Sequence, residues 1–84
     1  MTTRKALMKI QPIQQWKITV YDNGPTAPYT VESKVIETVR NRFGVEEIRW
    51  NTIFIASANV YHEAVLIAGN HLLDETQRLY EKAV

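Results

Sequence analysis

The chain has 84 residues, no cysteine, and ten Lys+Arg against nine Asp+Glu for a net charge of +1. A chain this short is one domain that buries only about 60–65% of its unfolded surface, and it lacks any disulfide to supplement a thin core. Near-neutrality argues against a net field for nucleic acid or anionic membranes, and no apolar run reaches the ~7–15 residues of a signal-peptide core or the ~18 of a membrane span.

Residues 1–12 are basic through Arg4, Lys5 and Lys9. They suit either an N-terminal arm or a short strand over Ala6–Ile10, with Pro12 tolerated at a sheet edge. The single α+β domain is expected over 13–84. From Trp16 to Tyr21 the alternation is clean, with Trp16, Ile18 and Val20 on one side and Lys17, Thr19 and Tyr21 on the other. That period of two predicts a strand with one buried face. Asp22-Asn23-Gly24-Pro25 then predicts a hairpin turn. Pro25 and Pro28 place Thr26–Val31 on a sheet edge.

A helix is expected next, capped by Ser33 and ended by Gly44, because Val35, Ile36, Val39 and Phe43 share one helical face. Arg40 and Arg42 would suit its last turn. Ile48–Ala56 predicts a strand with Ile48, Trp50 and Phe54 on one side and Arg49, Asn51, Ile53 and Ile55 on the other. Its second half is apolar on both faces, which predicts a central position.

From Val60 onward the period is helical, with Asn59 as a cap, and Glu63, Asn70, Asp74, Gln77 and Glu81 stay in phase across Gly69. One helix is therefore expected, with Gly69 tolerated or marking close packing against another backbone. Its apolar arc is wide. Tyr61, Val65, Ala68, Leu72, Leu79 and Ala83 form one row, and Leu66, Leu73 and Tyr80 form a second that a single sheet does not require. The fold expected from these elements is α+β, a three-stranded mixed sheet with two helices in the order β-β-α-β-α, strand order 2-1-3, and a long C-terminal helix.

Chemistry-bearing constellations are sparse. His62 and His71 lie nine residues apart and face opposite sides of a helix, so they share no metal. Ser33 and Ser57 fall at expected caps without a histidine and acid partner. Glu46-Glu47 reads as a solvated turn, and Gly24, Gly44 and Gly69 form no phosphate loop. No enzyme, cofactor or metal is expected.

The apolar patches point to interfaces. Leu66, Leu73 and Tyr80, or alternatively the Ile53 and Ile55 face, are expected to carry self-association, most simply as a homodimer. Lys17, Tyr21 and Arg49 on the sheet, and Glu63 and Asp74 on the last helix, are the candidate residues for an unidentified protein partner. Nucleic acid stacking on the same sheet face is the alternative. Trp16 and Trp50 are both expected to point inward as core residues.

The run Trp16-Lys17-Ile18-Thr19-Val20-Tyr21-Asp22-Asn23-Gly24, followed by Pro28-Tyr29-Thr30-Val31-Glu32-Ser33, resembles small bacteriophage accessory proteins. The likeness covers about a third of the chain and consists of a strand, turn, edge strand and helix pattern. It implies a phage-encoded protein that blocks a host or anti-phage defence factor. A cytoplasmic location is expected with it, that of the host if the protein is phage-encoded.

Overall fold

The computed structural model describes residues 4–83. Four strands, β1 (Lys5–Ile13), β2 (Trp16–Asp22), β3 (Tyr29–Arg40) and β4 (Glu46–Ala58), precede one helix, α1 (Tyr61–Ala83). Each strand pairs antiparallel with the next, so the sheet is a meander ordered β1-β2-β3-β4. This corrects the expected three-stranded mixed sheet with two helices. Among the described residues there is no crossover helix, no parallel pair, and no 2-1-3 order.

The stretch expected as the first helix is the second half of β3 and its turn. Thr30, Val31, Val35, Ile36, Thr38 and Val39 are β-branched and lose side-chain freedom in a helix, but fit a pleated surface. Ser33 is no helix cap. It is fully buried, and its hydroxyl accepts the Trp16 indole N–H at 2.9 Å. Satisfying that donor lets the largest core side chain sit between sheet and helix.

Gly24 and Gly44 adopt positive φ, 113° and 77°, and both close hairpins. At the first, Asp22 Oδ1 accepts the Gly24 N–H at 3.0 Å, and Asn23 Nδ2 donates to the Pro28 carbonyl at 2.8 Å. At the second, Asn41 Oδ1 accepts the backbone N–H groups of Phe43 and Val45. Gly44 thus takes the left-handed conformation expected of it, but in a hairpin instead of a helix cap. Because β2 and β4 flank it, β3 is internal, and Tyr29–Val31 is not the sheet edge expected from the two prolines.

Helix α1 lies across one face of the sheet. Trp16, Ile18 and Val20 from β2 meet Val31 from β3, Ala58 from β4, and Ala64 and Ala68 from the helix. Two alanines one turn apart remove side-chain bulk along the helix line that touches the sheet. The core is correspondingly small, and beyond it the molecule measures 44 × 38 × 16 Å.

Gly69 does not break α1. A Cβ at that position would meet nothing within 4 Å, which rules out the close backbone packing considered for it. Gly69→Ala is therefore expected to stabilise the fold by about 1 kcal/mol through helix propensity alone. A thermal melt should rise by about 4–8 °C, and an unchanged or lower midpoint would contradict this.

Candidate functional site

Side chains of paired residues share a face, so the register sorts the sheet into a covered side and a bare side. Lys17, Thr19 and Tyr21 of β2 pair with Lys34, Glu32 and Thr30 of β3, facing away from α1. The β3–β4 register then shifts between Ser33 and Lys34. Before the shift Ser33 pairs with Phe54 and Glu32 with Ile55; after it Lys34 pairs with Thr52, Ile36 with Trp50 and Glu37 with Arg49.

That bulge reverses the face of the first half of β4. Trp50 and Ile48 join Ile55 on the bare side, and Arg49 and Asn51 join Phe54 on the other. Two expectations are corrected. Arg49 does not share a face with Lys17 and Tyr21, and Trp50 is not inward. The Lys17 ammonium lies 4.1 Å from the Trp50 ring centroid, and the tryptophan remains 38% exposed. Trp16 is in the core as expected. β4 is also an edge strand and not a central one, since β3 flanks it on one side only.

The bare side divides into two bands. Across β1, β2 and β3 it is mainly basic, with Lys9, Lys17 and Lys34. Arg4 reaches Glu32 at 2.6 Å and stacks over Tyr21 at 3.6 Å from the ring centroid. Toward β4 it is apolar, with Ile48, Trp50 and Ile55, and Ile53 exposed at the bulge. Past the end of β2, the β3–β4 hairpin continues alone and carries Phe43 and Val45 exposed at its tip.

The opposite surface belongs to α1. Leu66, Leu73 and Tyr80 are 61%, 67% and 71% exposed. At 100° per residue they line up roughly 120–180° around the helix from Ala64 and Ala68, so the sheet does not cover them. Glu63, Asp74 and Glu81 are exposed in a parallel row about a quarter turn away. Tyr61 and Leu79, expected on the sheet-facing row, are also largely exposed.

His71 is buried. Its ring stacks on Phe54 at 4.3 Å and meets Trp16 edge-on at 6.3 Å, and its Nε2 is buried without a hydrogen-bond partner. Burial pushes its pKa below 6.5; Glu75 and Asp74 raise it and Arg78 lowers it, without reversing the net direction. The folded state therefore holds this proton less tightly than the unfolded chain does. Its stabilising contribution is complete above pH 6.5 and falls as the pH drops through 6.5 toward the lower folded value. Urea midpoints should decline between pH 7.5 and 5.5, and His71→Gln should flatten that decline; equal slopes would contradict the assignment.

Among the described residues there is no pocket, no group of three metal-ligating side chains, and no helix long and apolar enough to cross a membrane. The fold and its surfaces define a small α+β slab, a helix-backed antiparallel meander with apolar residues on both outer faces. No protein family matches the chain, and comparisons with curated proteins and with solved structures likewise found no match.

Proposed function

We propose that this chain is a small binding protein that works as a self-associated assembly and offers its remaining surface to a protein target. The observation that carries this reading is the exposed Leu66, Leu73 and Tyr80 stripe, facing away from the sheet that α1 packs on. Isolated exposed apolar residues are ordinary, but an aligned stripe opposite a second apolar band is an interface pattern.

Area supports it. The chain exposes 6323 Å², whereas a compact monomer of 9.7 kDa exposes about 5,100 Å². The excess of about 1,200 Å² exceeds the ~800 Å² per partner of a standard interface. The radius of gyration agrees, at 15.0 Å against about 12 Å for a compact 84-residue domain. The β3–β4 hairpin tip, with Phe43, Val45 and Arg42, is the surface left for a target.

Leu73→Glu tests the reading, since it places an unpaired charge at the contact. The wild type should elute as a multiple of the 9.7 kDa chain in size-exclusion chromatography with light scattering. The variant should elute as a folded monomer. A variant that assembles like the wild type would exclude the stripe.

One observation favours a second reading. Lys17 over Trp50 and Arg4 over Tyr21 put cations and rings together on a basic sheet face, as in modules that stack single-stranded bases. That reading predicts oligonucleotide affinity that falls steeply with salt and is lost in Lys17→Glu.

A further inference from the structure

The two outer faces of the slab match each other in chemistry and spacing. We infer that the outer face of α1 in one copy docks on the bare sheet face of a second copy, an inference that rests on the self-association proposed above. On α1 an apolar stripe, Leu66 to Tyr80, runs beside an acidic row, Glu63, Asp74 and Glu81. On the sheet an apolar band along β4 runs beside a mainly basic band, Lys34, Lys17 and Lys9 on β3, β2 and β1, in which Glu32 pairs with Arg4 and Lys34.

The dimensions agree in both directions. The fourteen residue steps of helix from Leu66 to Tyr80 span about 21 Å. Ile48 to Ile55 on β4, opposite Thr38 to Glu32 on β3 with the bulge between them, spans about 20 Å. Across that axis, a quarter turn on a helix ~11 Å wide is about 9 Å of arc, and two strand spacings from β4 to β2 are about 9.5 Å. Seating the stripe on the isoleucines therefore lays the acidic row over the lysines.

Charge favours this pairing over helix against helix. Beyond its first turn α1 holds Asp74, Glu75 and Glu81 against Arg78 and Lys82, and Arg78 is already paired with Glu75 at 3.3 Å. A second α1 offers no basic row to meet the acidic one, whereas the sheet offers Lys9 and Lys17, which form no ion pair among the described residues, beside Arg4 and Lys34 paired with Glu32. Because the two faces lie on opposite sides of the slab, the contact is heterologous. Such contacts close into a ring or continue as a chain of copies.

Heterologous and isologous contacts behave differently on mixing. Leu73→Glu disables the helix face and Ile55→Glu disables the sheet face, so each variant alone should run as a monomer. A 1:1 mixture should form a complex of twice the 9.7 kDa chain mass and grow no further, because one intact helix face meets one intact sheet face. Circular dichroism checks that both variants fold. Ile48→Glu, on the overhanging hairpin, replaces Ile55→Glu if the latter does not.

The inference is overturned if the mixture of folded variants stays monomeric, or if either variant alone assembles like the wild type. Binding of a 20-mer oligothymidylate to the Leu73→Glu monomer, abolished by Lys17→Glu, together with a monomeric mixture, would assign the sheet face to nucleic acid. A wild type that is monomeric at every concentration would instead remove the parent reading of self-association.

Discussion

Ile18→Ala is expected to remove about 3 kcal/mol of stability. Ile18 is fully buried on β2, with strands on either side of it. Its face meets the helix alanines, and the paired residue on β3 is Ser33, whose hydroxyl is committed to Trp16. Its partner on β1 is Ile10, and this side chain and the Trp16 cluster are held in place by the sheet, so the cavity cost adds to the lost transfer energy, within the ~2–5 kcal/mol seen for such truncations. A domain of this length holds roughly 4–12 kcal/mol in all. The urea midpoint should therefore fall by a large fraction at fixed protein concentration, which must be matched because association adds to apparent stability. A loss below about 1 kcal/mol would contradict the packing described here.

Ala68→Leu is the second. Ala68 is fully buried where α1 crosses the sheet, and Ala64 is fully buried one turn earlier. Their small size sets how closely the helix approaches Trp16, Ile18 and Val31. Three added carbons have no void to enter, so the helix must shift outward or the leucine must leave its rotamer, at a cost of about 1–3 kcal/mol. The outcome should be a lower urea midpoint with little change in far-ultraviolet circular dichroism. Stabilisation by this substitution would mean that the helix lies farther from the sheet than the structure places it.

Much of the local structure was legible in the residues. The Trp16–Tyr21 alternation gives β2, because its inner face is covered by α1 and its outer face is polar. Asn23-Gly24 gives the first hairpin, where only glycine adopts the positive φ. The helical phase across Gly69 gives α1, and the surplus stripe on it is exposed as its spacing implied.

What failed has physical causes. Beyond Val35, β3 belongs to a hairpin with no third strand beside it. Neither side is strongly buried there, so no alternation is imposed. Val35, Ile36, Val39 and Phe43 fell on a helical spacing, with Ser33 and Gly44 where caps would stand. Only the β-branched content argued the other way, and Ser33 could not be known as the acceptor for a tryptophan seventeen residues earlier.

The bulge at β3–β4 was equally invisible, because a period-two count runs straight through it. It exchanged the faces of Trp50 and Arg49, turning one expected core residue outward and removing one expected partner residue from the basic face. The apolar second half of β4 was read as a sign of central burial. It marks an unpaired edge whose outer face is bare. The burial of His71 was not legible because it depends on Phe54 and Trp16 arriving from two different strands.

Sedimentation equilibrium of the wild-type chain over a hundredfold range of concentration measures whether one copy is the working unit. With both flat faces of a 16 Å slab unpartnered, the mass is expected to exceed 9.7 kDa and to reach a multiple of it as concentration rises. A single species at the mass of one chain across the whole range would contradict the account.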